Sequence, residues 1–275
     1  MHTNNYTRRK TMIRFLTFSL IVLGLLLLPL FIQAGVKEGN LVLHLQFNDG
    51  AGDTVTEQIG GNDGKLGNKG GANPTWVDGP EAKFGKALDF DGKTNFVEIP
   101  VDLSPQATGE GITISAWVKV HATATDTHGQ SRQPVVMKGA GGEWEYALYI
   151  YDNFAVGFSV WNCGGSGVSE PSGGSLPKDE WHYVAGSFEP GVGSKAYIDG
   201  ELVAESDANA NVPCDGTRPI FIAHREDGQF LNASVDEVRI WDEALSAEKI
   251  ASFMYVPVEP AGRLTVTWGK IKTGY

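Results

Sequence analysis

Cysteine is scarce in this sequence, and its scarcity excludes several kinds of site. The chain of 275 residues has only two cysteines, Cys163 and Cys214. Two cysteines so far apart give neither the ligand spacing of a zinc finger nor a Cys-x-x-Cys redox motif. In an exported protein we expect the two to form a disulfide, and the alternative is a pair of buried free thiols.

Helical periodicity is also nearly missing, whereas glycine is abundant at 35 residues. Side chains alternate from Trp181 to Phe188, as in a half-buried strand, and Asp199-Gly200 separates the β-prone runs KAYI and ELVA. Asp-Gly suits a type I′ hairpin turn because both central residues need positive φ. No period of about 20–50 residues repeats clearly, which argues against a propeller or a solenoid. The sequence therefore predicts an all-β, antiparallel, two-sheet sandwich.

Basic residues are outnumbered, with 22 Lys and Arg against 33 Asp and Glu, for a formal charge of −11. So acidic a chain should repel nucleic acid and anionic membrane surfaces. The charge is compatible with neutral glycans, basic partners or divalent cations, although simple solubility is the commoner reason for it.

Residues 1–34 read as a signal peptide. Arg8, Arg9, Lys10 and Arg14 precede an apolar run from Phe15 to Ile32. A small residue, Ala34, follows as a cleavage position, and the alternative is an uncleaved membrane anchor. Removal of this segment deletes four basic and no acidic residues, so the formal charge would become −15.

Four segments, taken in order, resemble a known family. They are GKALDFDGKTNFVEIP, ITISAWVKV, WHYVAGSF with KAYIDGELVAE, and SVDEVRIWDEALSAEKI. Together they are similar to laminin G-like jelly-roll domains of the concanavalin A-like lectin/glucanase fold. The resemblance implies such a domain over residues 35–255, two antiparallel sheets of which one is concave, and a role in recognition outside the cytoplasm. Residues 256–275 follow as a C-terminal tail of unknown role.

The resemblance also implies a structural calcium ion. Asp236 stands where related jelly rolls hold a calcium-binding aspartate, and Asn48 and Asp49 end the first strand. Asp91, in the turn Asp89-Phe90-Asp91-Gly92, is a further source of carboxylate oxygens for a hard cation. The alternative is that Asp236 only pairs with Arg239 or a lysine, or caps a turn.

Aromatic residues around one hairpin form a candidate glycan-binding face. Tyr149, Tyr151, Trp161 and Trp144 lie close in sequence, and aromatic rings stack on the apolar faces of sugars. A two-residue turn at Asp152-Asn153 would place both tyrosines on the face of Phe158. A turn one residue longer would place them with Trp161, because a one-residue slip exchanges the faces of a strand. The alternative is that all four are core residues of the sandwich.

A hydrolase is the least favoured reading. Some enzymes of this fold carry a Glu-x-Asp-x-x-Glu strand, and no such pattern occurs here. Glu143 and Glu145 are the pair of acidic residues that comes nearest to this pattern, but no third acidic residue follows at the required spacing. The sequence also lacks a Gly-x-Ser-x-Gly elbow and histidines at metal-ligand spacing. We therefore expect an exported, non-catalytic module for an extracellular glycan or protein, and the rival is a structural or adhesive envelope protein without a small ligand.

Overall fold

The computed structural model describes residues 40–100, 107, 109–123 and 132–255. The predicted signal or anchor at residues 1–34 and the tail at residues 256–275 lie outside the described residues. Within the described part of the chain, no helix has both the length and the apolar character needed to cross a membrane.

The described chain is built almost entirely from strands. One short helix, α1, spans Ala247–Ser252 and begins at the N-cap Ser246, whose Oγ accepts a hydrogen bond from the Lys249 N–H. The strands, in chain order, are β1 (Leu41–Leu45), β2 (Thr54–Val55), β3 (Gly64–Asn68), β4 (Thr75–Asp78), β5 (Lys86–Asp91), β6 (Asn95–Ile99), β7 (Ile112–Ala122), β8 (Arg132–Ala140), β9 (Glu143–Tyr151), β10 (Val156–Trp161), β11 (Gly167–Ser169), β12 (Ser172–Gly173), β13 (Trp181–Glu189), β14 (Gly193–Ile198), β15 (Glu201–Asp207), β16 (Ile220–Ile222), β17 (His224–Arg225), β18 (Gln229–Phe230) and β19 (Asn232–Trp241).

Two antiparallel sheets enclose one apolar core. The first has the order β15-β14-β13-β7-β19-β5-β4, with β1 also paired to β19. The second has the order β11-β10-β9-β8-β16-β6-β3-β2, with β12 paired to β10, and β17 and β18 form a small separate hairpin. Buried residues from both sheets, among them Val118, Phe158 and Val235, form one cluster between them. The predicted antiparallel sandwich is confirmed.

The Asp-Gly hairpin forms as the sequence predicts. Ile198 pairs with Glu201 across Asp199-Gly200, and the two turn residues have φ values of 51° and 82°. Both values are positive, as the two central residues of a type I′ turn require.

The predicted disulfide joins Cys163 to Cys214. It links the loop after β10 to the segment before β16, and the Cys214 N–H donates to the Trp161 carbonyl at 2.8 Å. Disulfides persist in oxidising compartments, so the bond supports an extracytoplasmic location.

A β-bulge interrupts β19 on its side toward β7. The register shifts between Asp236 and Arg239, and Glu237 has a positive φ of 52°. The extra residue re-aims the side chains there, which is the usual consequence of a bulge. As a result, Asp236, Glu237 and Arg239 all lie fully buried on the outer side of the first sheet.

Candidate ligand-binding face and cation site

The turn between β9 and β10 decides which face the tyrosines occupy. Tyr149 pairs with Gly157, and the Tyr151 N–H donates to the Ala155 carbonyl at 2.9 Å. Three residues therefore form the loop, and the last of them, Phe154, has a φ of 64°. This is the longer of the two turns that the sequence allows. Tyr149 and Tyr151 accordingly share the outer face of the second sheet with Trp161.

The aromatic side chains are brought together on this face. The ring centroid of Tyr149 lies 6.3 Å from that of Tyr151 and 6.1 Å from that of Trp161, both in edge-to-face arrangements. Met137 and Ala147 complete the buried part of the cluster, and Trp144 packs against it. We call Trp144, Tyr149, Tyr151 and Trp161 the aromatic layer.

Burial divides the aromatic layer into two pairs. Tyr149 is fully buried and Trp161 is 5% exposed, whereas Trp144 and Tyr151 are half-buried. A sugar ring can stack only on an aromatic face that reaches solvent. The half-buried pair, Trp144 and Tyr151, therefore offers the accessible surface, and the buried pair forms the floor beneath it.

Two arginines, which sequence reasoning missed, lie against the aromatic layer. The Arg225 guanidinium lies 4.1 Å from the Trp144 ring centroid, and its Nη1 donates to the Tyr149 hydroxyl oxygen at 3.3 Å. The Arg132 guanidinium lies 5.0 Å from the centroid of Tyr149 and 5.6 Å from that of Trp161. Such stacking is favourable because the negative face of an aromatic ring attracts a cation. The pairing of strands and the β17–β18 hairpin place these arginines beside the aromatic rings. No local sequence pattern predicts that placement.

Each arginine also has a carboxylate beside it. Arg225 Nη2 lies 3.1 Å from an Asp227 oxygen, and Arg132 Nη1 lies 3.6 Å from a Glu170 oxygen. Burial raises the pKa of the Tyr149 hydroxyl, although the two arginines act in the opposite direction. Tyr149 is therefore neutral at physiological pH, and the face carries two cations and two carboxylates around an uncharged floor.

Glu143 and Glu145 are each paired with a basic side chain. Glu143 accepts a 2.8 Å hydrogen bond from Arg218 Nε at the surface. Glu145 is fully buried and ion-paired with Lys138, whose ammonium also donates to the Gly216 carbonyl at 2.9 Å. Burial raises the pKa of Glu145 to about 7. The two carboxyl groups thus have separate basic partners, Arg218 for Glu143 and Lys138 for Glu145.

Ser234, His121 and Asp179 have the residue types and contacts of a nucleophilic triad, but the serine is buried. His121 Nε2 lies 3.0 Å from Ser234 Oγ, and His121 Nδ1 lies 2.8 Å from an Asp179 oxygen. However, Ser234 is only 2% exposed, and its hydroxyl donates to Asp89 at 2.7 Å. A nucleophile must be reachable and must pass its proton to the base. This cluster does neither, so it offers no support for hydrolysis.

A cation would fit beside Asp236. Its Oδ1 accepts the Glu237 N–H at 2.8 Å, but its Oδ2 is buried without a hydrogen-bond partner. Burial raises the pKa of Asp236 to about 9, and the neighbouring Glu237 carboxylate adds to the effect. A buried carboxyl oxygen without a partner is costly, and a bound cation would remove that cost.

Gly79 lies beside the Asp236 carboxylate and the Gly85 carbonyl, and Gly85 in turn lies beside Asn48. A Cβ at Gly79 would stand 2.8 Å from Asp236 Oδ2 and 3.2 Å from the Gly85 carbonyl oxygen, and a Cβ at Gly85 would stand 2.1 Å from Asn48 Oδ1. Carboxylate, amide and main-chain oxygens are the ligands that Ca²⁺ prefers. Within the described ranges no group of three His, Cys, Asp or Glu side chains could hold a metal. A cation here would therefore depend on Asp236 together with uncharged oxygens.

The other two proposed ligands, Asp49 and Asp91, serve their own turns. The Asp49 carboxylate accepts from the Thr56 N–H at 3.1 Å and from the Thr56 hydroxyl at 2.6 Å. The Asp91 carboxylate accepts from the N–H groups of Lys93 and Thr94, each at 2.9 Å. The Asn48 amide oxygen likewise accepts the Lys86 N–H at 2.8 Å, so all three of these side chains have hydrogen-bond partners near the end of β1 or in their own turn.

Comparison with protein families places the chain in one of them. The laminin G family model described as "Concanavalin A-like lectin/glucanases superfamily" matches residues 91–251, more than half of the sequence. The chain belongs to this superfamily. No curated protein matches its sequence significantly.

Solved structures of the same fold include proteins that bind sugars. The first is domain 4 of AbnA, a GH43 extracellular arabinanase from Geobacillus stearothermophilus, in complex with arabinotriose. Its TM-score is 0.53 and its identity 20%, covering 78% of this chain and 98% of that one. Another concerns botulinum neurotoxin type C, whose cell entry depends on two ganglioside molecules. It has a TM-score of 0.56 and 13% identity, covering 78% of this chain and 50% of that one.

A third similar structure is Trypanosoma rangeli sialidase in complex with sialic acid. Its TM-score is 0.54 and its identity 17%, covering 77% of this chain and 32% of that one. The chain thus spans half of the neurotoxin structure and a third of the sialidase structure. At these identities the likeness establishes the fold and leaves the ligand to be argued from the site.

Proposed function

We propose that this protein is an exported, non-catalytic recognition module that binds a glycan on the outer face of its second sheet. The observation that carries the proposal is the aromatic layer, in which half-buried Trp144 and Tyr151 flank a floor covered by arginines. Aromatic rings supply stacking area, and guanidinium groups supply directed hydrogen bonds to sugar oxygens. The arabinanase domain that is similar over nearly its whole length was solved in complex with arabinotriose, which supports a sugar-type ligand.

Export is supported by the Cys163–Cys214 disulfide and by the signal-like sequence of residues 1–34. Cleavage of that segment would release a secreted protein, and retention would leave an anchored one. N-terminal sequencing of the protein purified from its native host distinguishes the two outcomes.

We further propose that a calcium ion stabilises the fold at Asp236, with Asn48 and the Gly85 carbonyl as further ligands. The buried Oδ2 of Asp236 supports this, because it has no hydrogen-bond partner and a cation would compensate its burial. When bound, the ion would neutralise a buried carboxylate and tie the 79–85 loop to the end of β1.

A glycan array, read with and without a calcium chelator, tests the glycan proposal. The parent protein should bind a restricted set of glycans, and Tyr151→Ala and Trp144→Ala should each weaken that binding about tenfold or more. Tyr255→Ala is the matched control, because Tyr255 is 63% exposed and lies outside the aromatic layer. Equal binding by all four proteins would contradict the proposed site.

One observation favours the rival function of a structural or adhesive envelope protein. Tyr149 and Trp161 are buried beneath arginines, as in a second small core that only strengthens the sheet. That reading predicts no binding on the array and a loss of thermal stability in the Tyr151 and Trp144 variants. The same set of four proteins therefore distinguishes the two functions.

A further inference from the structure

Two guanidinium groups meet at one ring in a protein whose formal charge is −11. Arg132 lies 5.0 Å from the centroid of Tyr149, and Arg225 donates to the hydroxyl of the same residue at 3.3 Å. Like charges held close together repel, so the arrangement needs anions beside it. Asp227 and Glu170 provide them.

The two ion pairs differ in how firmly they are made. Arg225 is 8% exposed and lies 3.1 Å from Asp227, and its guanidinium is stacked on Trp144. Arg132 is 21% exposed, and Glu170 is 38% exposed at a separation of 3.6 Å, which exceeds a normal charge-assisted hydrogen bond. Glu170 is therefore the more readily displaced of the two carboxylates, because it is more exposed than Asp227 and lies farther from its arginine.

The position of Arg132 suits a ligand carboxylate. Its guanidinium rests against Tyr149 and Trp161, which restricts its orientation, and Arg132 pairs in register with the half-buried Tyr151. A planar guanidinium held in one orientation matches the two oxygens of a carboxylate. Arg132 and Tyr151 are paired on neighbouring strands. An acidic substituent of a sugar ring stacked on Tyr151 would therefore lie near the Arg132 guanidinium.

We propose that the ligand is a glycan bearing a carboxylate, of the uronic acid or sialic acid type, and that its carboxylate takes the place of Glu170 at Arg132. The inference rests on the proposed function, since it names the substrate class of the same face. It makes Arg132 the specificity-determining residue and Glu170 an internal competitor of the ligand.

Matched pairs of glycans test the inference. Sialyllactose is compared with lactose, and trigalacturonic acid with its methyl ester, by calorimetric titration of the full protein at low salt. The acidic member of a pair should bind at least about tenfold more tightly, the usual worth of a charge-assisted hydrogen bond. Glu170→Gln should tighten binding of the acidic member several-fold and leave the neutral member unchanged.

Variants of the arginine separate this inference from the proposed function. Arg132→Gln should abolish the preference for the acidic member, and Arg132→Lys should retain part of it, while thermal melts verify that both remain folded. Arg218→Gln is the matched control, because it removes the same charge from an exposed arginine paired with Glu143. A preference that survives Arg132→Gln, or equal binding of acidic and neutral members, overturns the inference and leaves the glycan function standing. Failure to bind any glycan, including those of the array, overturns both.

Discussion

The outer faces of the two sheets use arginine in opposite ways. On the first sheet, Arg239 is fully buried and ion-paired with Glu237, which also contacts His44 at 2.8 Å. On the second sheet, Arg132 is half-buried and lies against aromatic rings, with a loosely held carboxylate at its side. A charge sealed from water stabilises only if its partners are in place, whereas a charge at the surface can change partners. The first face is therefore suited to holding the fold, and the second to binding.

Equivalent arginine truncations give the largest expected contrast between the faces. Arg239→Met should lower the free energy of unfolding by about 3–5 kcal/mol, because it leaves the buried Glu237 carboxylate without its arginine partner. Arg225→Met should cost about 1–2 kcal/mol, the range of a largely desolvated cation–π contact, since Asp227 is 27% exposed and can be hydrated. Denaturant unfolding of the three proteins measures both values. Losses of equal size would remove the distinction between the two faces in how much an arginine contributes to stability.

Calcium provides the next contrast, because its proposed site belongs to the first sheet alone. A cation at a hundredfold excess over its Kd stabilises the folded state by about 2.7 kcal/mol. The melting temperature of the parent should rise accordingly in millimolar calcium, and Asp236→Asn should lose most of that rise. In chelator the melting temperature of the variant should be close to that of the parent. Burial already disfavours the anionic form of the Asp236 carboxyl, so its replacement by an amide changes little.

Two controls accompany the calcium experiment. Asp49→Asn and Asp242→Asn should both keep the response, because the Asp49 carboxylate is bound to Thr56 and Asp242 lies beyond the end of β19. An identical melting temperature of the parent in calcium and in chelator would show that Asp236 holds no ion.

The strands were predictable from the sequence, whereas the face of the tyrosines was not. Alternation and Asp199-Gly200 are local signals, and each leads to one structure. The loop after Tyr151 allowed two registers, and the outcome depends on Phe154 adopting a positive φ, which is uncommon for a residue with a side chain. The amino-acid composition of the turn does not predict which of the two registers forms.

The candidate sites show the same division between local and non-local information. Cys163 and Cys214 had no other cysteine to pair with, so their disulfide could be predicted. Asp91 was a reasonable ligand by type, yet the N–H groups of its own turn take its carboxylate. Arg132 depends on packing between strands, which periodicity does not reveal.

A smaller effect should arise from glycine on the second face. A Cβ at Gly157 would lie 2.5 Å from Cε2 of Tyr151, so Gly157→Ala must displace that ring. We expect a loss of about 1–3 kcal/mol in stability, as for other overpacked sites, and weaker glycan binding. A double-mutant cycle measures the cause: if the clash with Tyr151 dominates, Gly157→Ala should cost much less in the Tyr151→Ala background. An unchanged cost there would assign the loss to Pro171 and Ser172 on the other side of the glycine.

The smallest expected effect is a pH dependence that belongs to the second face. His224 is stacked on Phe230 at 4.4 Å and packs against Phe96 at 4.9 Å. Its Nδ1 donates to the Gln229 carbonyl at 3.2 Å, and its Nε2 is buried without a hydrogen-bond partner. Burial lowers the pKa of His224 to about 4, so the ring is neutral in the folded protein at pH values where it becomes charged in the unfolded chain. The unfolded state then binds more protons, and stability must fall as the pH falls from about 6.5 toward 4.

Between pH 7 and pH 6 this single group should lower the free energy of unfolding by about 0.7 kcal/mol, from its shifted and unshifted pKa values. His224→Phe keeps an aromatic ring in the stack and removes the titration. Its overall stability differs from that of the parent because the bond to Gln229 is lost, so the readout is the slope against pH and not the absolute value. Urea unfolding at half-unit steps in chelator gives the two slopes, and the variant should be flatter by that amount. Parallel slopes would show that His224 is protonated equally in both states, and that water reaches a ring which the structure places beneath the β17–β18 hairpin.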